Sequence, residues 1–174
     1  MHSSDRRCDW VKGLVLGGCT CNLSGMALLP YKLKIATFKI LVGIFGEKKL
    51  IDRQIPTLLG RMGLKEVDVN ALLDAGVTLS VFEHAVNAFK GIDFRATHAA
   101  IAQPVLIVNG SLDKGMIRQE ASFLAVAPQG SSHRFENCEH GVSMLRSVEF
   151  ARLVNDFSAR VFADNVAAGA PGSR

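Results

Sequence analysis

The stretch Gln103-Pro-Val-Leu-Ile-Val-Asn-Gly-Ser-Leu-Asp113 sets the architecture of this chain. Pro104–Val108 is a short, continuous apolar run, the mark of a strand buried on both faces, as in a parallel sheet. Proline is tolerated at a strand's first residue, and Asn109-Gly110 supplies the stop. C-terminal to this strand, Met116–Ala127 has helical spacing and closes at Pro128 and Gly130. Ser132–Glu136 alternates and reads as a further strand, and Val142–Phe162 reads as one long helix with Phe150, Leu153, Val154, Phe157 and Val161 along a single stripe. N-terminal to it, the pattern is helical from Pro30 to about His98. Pro30 opens a first helix, with Leu33, Ala36, Ile40, Leu41 and Ile44 as its apolar stripe. Leu50, Ile55, Leu58 and Leu59 mark a second, expected to bend or break near Pro56. Val69, Leu72 and Leu73 mark a short third, and Leu79, Phe82, Val86 and Phe89 an amphipathic fourth. Before these, Trp10–Leu16 is an apolar run closed by Gly17-Gly18 and reads as another buried strand. Strands alternating with helices predict an α/β chain with about three parallel strands.

The composition agrees with one packed chain. Of 174 residues, 48% are apolar and 21% charged, which excludes a disordered or collagen-like protein. Four cysteines are too few for a disulfide scaffold of this length. Charge is uneven: residues 1–65 carry a net +7 and residues 66–174 a net −3. A basic front half suits anionic ligands, nucleic acid or a membrane surface. The basic residues, Lys32, Lys34, Lys39, Lys48, Lys49 and Arg53 among them, have no interleaved aromatic pattern and no base-reading motif, so solvated helix faces are the preferred reading and no nucleic-acid partner is expected. The uncharged span Gly13–Tyr31 holds Gly17-Gly18, Thr20, Asn22, Ser24 and Pro30, poor material for a lipid-facing helix, so no membrane segment is expected. The apolar core after Arg6, Arg7 and Lys12 is too short for an export signal, and Asp5 and Asp9 interrupt the basic region. Reduced thiols in a cytoplasm follow.

In a parallel sheet, function gathers at the carboxyl ends of the strands. Asp113 follows the Pro104–Val108 strand, and His140 follows the Ser132–Glu136 strand in Asn137-Cys138-Glu139-His140-Gly141. If those strands are neighbours, both loops open on one side. An Asp so placed can hold an imidazole by its Nδ1–H while Nε2 takes a proton from a nucleophile. Glu136 and Glu139 compete with Asp113 for that place. Taken singly, Asp113 reads as a helix cap and His140 as a solvated loop residue; their joint placement favours function.

On these residues the chain resembles the C-terminal half of an α/β-hydrolase. Gln103–Asp113 is similar to the family's strand and turn that present the triad acid, and His140-Gly141 with the helix after it to its histidine loop and final helix. Trp10–Gly18 is similar to the strand before the cap domain. The resemblance covers residues 10–162 and implies a partial α/β-hydrolase fold: first core strand and loop at 10–24, helical cap at 25–98, C-terminal core at 99–162, disordered tail at 163–174. It implies hydrolysis of an ester or related acyl substrate by a Ser-His-Asp mechanism, with Asp113 as orienting acid and His140 as general base. It also implies a cap that shapes an apolar pocket from residues such as Phe38, Phe45, Phe82 and Phe89, and it implies no cofactor.

One departure matters. The family's nucleophile sits in a G-x-S-x-G elbow on a sharp strand-to-helix turn. No such pentapeptide occurs in these 174 residues. By resemblance it belongs upstream of the Trp10 strand, with the oxyanion donors, so the chain is expected to be inactive alone. The Trp10–Leu16 strand then becomes an uncovered edge, inviting self-association or pairing with an N-terminal half. A non-catalytic binding module is the rival reading. Cys19-Thr-Cys21 and Cys138-Glu-His140 offer N/S ligands, but their spacing is not that of a zinc finger, and no metal is expected. Without a P-loop or G-x-G-x-x-G, no nucleotide cofactor is indicated.

Overall fold

Three parallel strands form, β1 (Leu14–Gly17), β2 (Val105–Gly110) and β3 (Gly130–Phe135), in the order β1-β2-β3. The computed structural model describes residues 10–61 and 66–169. Leu14 pairs with Val105 and Val105 with Gly130, so the first residues of the three strands lie on one line and their carboxyl ends on another. Eight α-helices are described: α1 (Leu29–Phe45), α2 (Glu47–Arg61), α3 (Glu66–Asp74), α4 (Ser80–Phe89), α5 (Phe94–Ala99), α6 (Lys114–Leu124), α7 (Val142–Leu145) and α8 (Ser147–Gly169).

The chain divides into two compact units. One is 22–94; the other joins the residues before it to 95–174. In the sheet unit β2 is buried at every position. Its side chains alternate between two faces. Leu106 and Val108 join Phe135, Cys138, Val142, Phe157 and Val161 in one apolar cluster on the α8 side, with Val15, Leu145, Phe150 and Leu153 against it. Val105, Ile107 and Asn109 face the other way, where Asn109 meets Glu120 of α6. Each large apolar side chain so buried contributes about 1.5–3 kcal/mol, which makes β2 the anchor of the unit.

Three expectations for this unit need correction. The first strand begins at Leu14, not Trp10, and its side chains are half-buried; as an edge strand it has a neighbour on one side only, and Trp10 stands 94% exposed. The helix after the histidine loop is broken at Arg146, which leaves helical geometry at φ −131°, ψ 44°. It also runs on to Gly169, through the span read as a tail from 163. Residues 1–9, read as polar and frayed, and 170–174 of the tail lie outside the described residues.

The helical unit starts with a short 3₁₀ turn, Gly25–Leu28, and its two ends are pinned together. Asn22 donates to Asp93 at 2.6 Å and accepts from the Phe94 amide at 2.9 Å, and the Gly91 amide donates to the Leu23 carbonyl. The Glu47 carboxylate, opening α2, accepts from the Leu79 amide and the Thr78 hydroxyl just before α4. Both hydrogen bonds lower its pKa. The second helix is not broken at Pro56: α2 continues through it, although the missing N–H leaves the Asp52 carbonyl without its usual partner. The expected stripe of α1 is not a buried one. Leu33, Ile40 and Ile44 are exposed, because α1 is apolar around most of its circumference and only part of it is covered.

Candidate active site

Asp113 and His140 meet. His140 Nδ1 lies 2.7 Å from Asp113 Oδ2. The carboxylate side chain is 12% exposed and the imidazole 66%, so the carboxylate is enclosed and the ring is open to solvent. Among the described residues no hydrogen bond engages His140 Nε2. Asp113 also caps α6: its Oδ1 accepts from the Met116 amide at 3.3 Å. Helix cap and imidazole partner, alternatives in the sequence, are two oxygens of one carboxylate in the structure. Neither Glu136 nor Glu139 bonds to the ring.

Backbone contacts place the pair. Gly110, the last residue of β2, lies so close to the histidine loop that a Cβ there would overlap the carbonyls of Cys138 and Glu139. The Ser111 amide donates to the Phe135 carbonyl and the Leu112 amide to that of Cys138, both at 2.9 Å, while the Ser111 hydroxyl accepts from the Asn137 amide. Asn137 turns the chain in the left-handed region at φ 52°, which asparagine tolerates better than most residues. Cys138 then drops into the apolar cluster as the loop's foot, and burial pushes its thiol pKa up.

The third strand end contributes Gly18, which sequence reasoning missed. Its φ is +64°, and a Cβ there would stand 2.9 Å from His140 Cε1, so the backbone itself forms one wall for the ring. The signal was present as Gly17-Gly18 closing an apolar run. Reading it needed the knowledge that β1 ends beside the histidine loop.

Cys19 is exposed and its thiol donates to the Gly17 carbonyl at 3.2 Å. Although the residue is exposed, partial desolvation of the sulfur by its neighbours raises its pKa, the wrong direction for a thiolate nucleophile. Cys21 accepts from Gln119 Nε2. Among the described residues no three side chains of His, Cys, Asp and Glu gather as a metal ion requires. The four phenylalanines expected at a pocket lie on helices of the other unit. Phe38 meets Phe82 edge-on at 6.0 Å, and both are half-buried; Phe45 and Phe89 are each 48% exposed. Phe38 also lines a groove of about 520 Å³ with Lys34, Leu41, Leu50, Arg53 and Leu58. No helix among the described residues is long and apolar enough to cross a membrane.

Solved structures share this arrangement of elements. MenH from S. aureus matches at 15% identity and a TM-score of 0.62, over 87% of this chain and 60% of its own. An enol-lactonase from Burkholderia xenovorans matches at 18% and 0.59, over 88% and 58%. A carboxylesterase from Nitrososphaera gargenis matches at 14% and 0.63, over 88% and 58%. No family model and no curated protein matches the sequence. The chain has a partial α/β-hydrolase fold: three parallel strands of the core, their flanking helices and a helical insert after the first strand. It spans about 60% of the length of the structures it matches.

Proposed function

We propose that Asp113 and His140 are the acid–base half of a serine-type acyl hydrolase. The observation that carries this is the 2.7 Å contact between Asp113 Oδ2 and His140 Nδ1, made from the carboxyl ends of adjacent parallel strands. Held by its Nδ1–H, the imidazole presents Nε2 to take a proton from a serine hydroxyl as it attacks an acyl carbonyl, and to return it to the leaving group. Asp113 keeps the ring in the productive tautomer and stabilises the imidazolium. The serine comes from a G-x-S-x-G elbow that this sequence does not contain, so the chain alone does not turn over substrate. The substrate is a small ester or related acyl compound, and Phe38, Phe45, Phe82 and Phe89 supply apolar contacts to it. The esterase and lactonase among the similar structures support this class. The free thiols of Cys19 and Cys138 fit a reducing, cytoplasmic setting.

A segment bearing the elbow pairs along β1. The supporting observation is the position of β1 at the sheet edge, with one face of its backbone ladder unpaired among the described residues. The second reading, a binding module without catalysis, is favoured by the missing pentapeptide. Co-expression with an N-terminal hydrolase half that carries an elbow separates the two, scored on p-nitrophenyl ester hydrolysis. Restored turnover that drops roughly 10²–10⁴-fold in His140→Ala is the expected result. Restored turnover that survives this substitution removes His140 from the mechanism, and no turnover in any pairing favours the binding module.

A further inference from the structure

Behind the dyad, polar side chains from four segments meet: Thr20 after β1, Asn109 on β2 and Glu120 on α6 are buried, and Arg134 on β3 reaches them from the surface. We infer that Thr20 and Glu120 are positioning residues for the Asp113–His140 pair, acting through the first turn of α6; their importance for turnover rests on the catalytic reading of that pair. Thr20 is fully buried and donates its hydroxyl to the Met116 carbonyl at 2.9 Å. Met116 is also the residue whose amide caps Asp113 Oδ1. One residue is therefore gripped on its carbonyl side by the loop after β1 and on its amide side by the acid of the dyad.

Glu120 lies one helical turn further on and is 1% exposed. Its Oε2 accepts from Asn109 Nδ2 at 2.6 Å, and its Oε1 from Arg134 Nε at 2.9 Å and Nη2 at 2.7 Å. Asn109 and Arg134 are register partners on β2 and β3, and Asn109 Nδ2 also reaches the Thr20 hydroxyl at 3.1 Å. The carboxylate thus bolts α6 to one rung of the sheet, and Thr20 ties the same helix to the third strand end. A buried carboxylate is costly unless every partner is met, so the network admits one position of the helix and penalises others. Packing alone would be served as well by apolar side chains, which leave a helix free to slide by fractions of an ångström. The Asp113–His140 hydrogen bond does not tolerate that freedom, because it weakens steeply with distance and angle.

The test needs no turnover. In the full chain labelled with ¹⁵N-histidine, the His140 nitrogen shifts report whether the ring is in the Nδ1–H form that donates to Asp113 or the Nε2–H form preferred without a partner. Asp113→Ala gives the reference for a lost contact. Thr20→Val and Glu120→Gln are each expected to move His140 part of the way to that reference, and Thr20→Ser, which restores the hydroxyl, to return it. A His140 pattern unchanged in both variants while the melting temperature falls overturns the inference and leaves the network a stability device. So does an unsubstituted chain already in the Nε2–H form. Should the variants not fold, hydrogen exchange in the unsubstituted chain decides: the Met116 amide is expected to exchange as slowly as those of β2, and exchange at the rate of a loop amide overturns the anchoring. Failure of ester hydrolysis leaves these readouts untouched, whereas restored hydrolysis with an unmoved His140 signal removes the positioning role alone.

Discussion

At the scale of single residues, two positions decide how the site is held. Gly110 is the more demanding, since its missing side chain is where the histidine loop passes. Gly110→Ala is expected to destabilise the chain by about 1–3 kcal/mol in urea unfolding, the usual cost of forcing atoms into a packed space. The same change drives the backbone of residues 138–139 away from β2 and separates His140 from Asp113. His98 is the second. It is buried, its Nδ1 has no hydrogen-bond partner among the described residues, and its ring stands edge-on to Phe123 at 4.8 Å. Burial lowers its pKa below the ordinary 6.5. As pH falls through 6.5 the unfolded chain therefore takes up a proton that the folded chain refuses, and stability is lost in that direction. The urea midpoint is expected to fall between pH 7.5 and pH 5.5, and His98→Phe is expected to flatten that dependence. A midpoint equally pH-sensitive in the variant would assign the effect to other groups.

At the scale of elements, α6 carries two duties at one residue, and substitution can separate them. Asp113→Asn keeps an oxygen for the Met116 amide but no charge for the imidazole. It is expected to unfold within about 1 kcal/mol of the unsubstituted chain, while the complemented enzyme loses on the order of 10⁴ in kcat. Asp113→Ala loses the cap as well, a further cost of about 0.5–2 kcal/mol seen in thermal unfolding. This doubling also shows what a sequence can disclose. Pro104–Val108 announced β2 because a run that apolar has no other stable place. The meeting of Asp113 and His140 was legible because each follows one of two strands that lie side by side. The break at Arg146 was not, since no glycine or proline marks it between Val142 and the apolar stripe that starts at Phe150. The Thr20–Asn109–Glu120–Arg134 network was not legible either. Its members are ordinary polar residues far apart in the chain, and only the register of β2 with β3 brings Asn109 and Arg134 to one rung. Pattern reading also failed for α1, because periodicity names a face but not whether anything covers it.

At the scale of the whole molecule, unsatisfied surface is the dominant feature. Trp10 and Val11 precede an open edge strand, and Leu29, Leu33, Ile40 and Ile44 lie exposed along α1. Exposed apolar surface and an unpaired strand both favour association. Size-exclusion chromatography of the purified chain is expected to show concentration-dependent species larger than the 18.8 kDa monomer, and Val11→Lys, at an exposed position leading into the edge strand, is expected to reduce them. A sharp monomer peak at all concentrations would remove β1 as a pairing edge. The register of the sheet has one more consequence, for the order of assembly. Leu14 meets Val105 only after the entire 22–94 unit has been made, whereas Val105 meets Gly130 across a single helix. Closing the longer loop costs about 1 kcal/mol more, and at ribosomal speed β1 waits roughly 5–20 s for its partner. Of the three described strands, β1 is thus made earliest and closes the longest loop to dock, and until it does one edge of β2, a strand otherwise buried at every position, stays bare, an edge that a chaperone would have reason to cover.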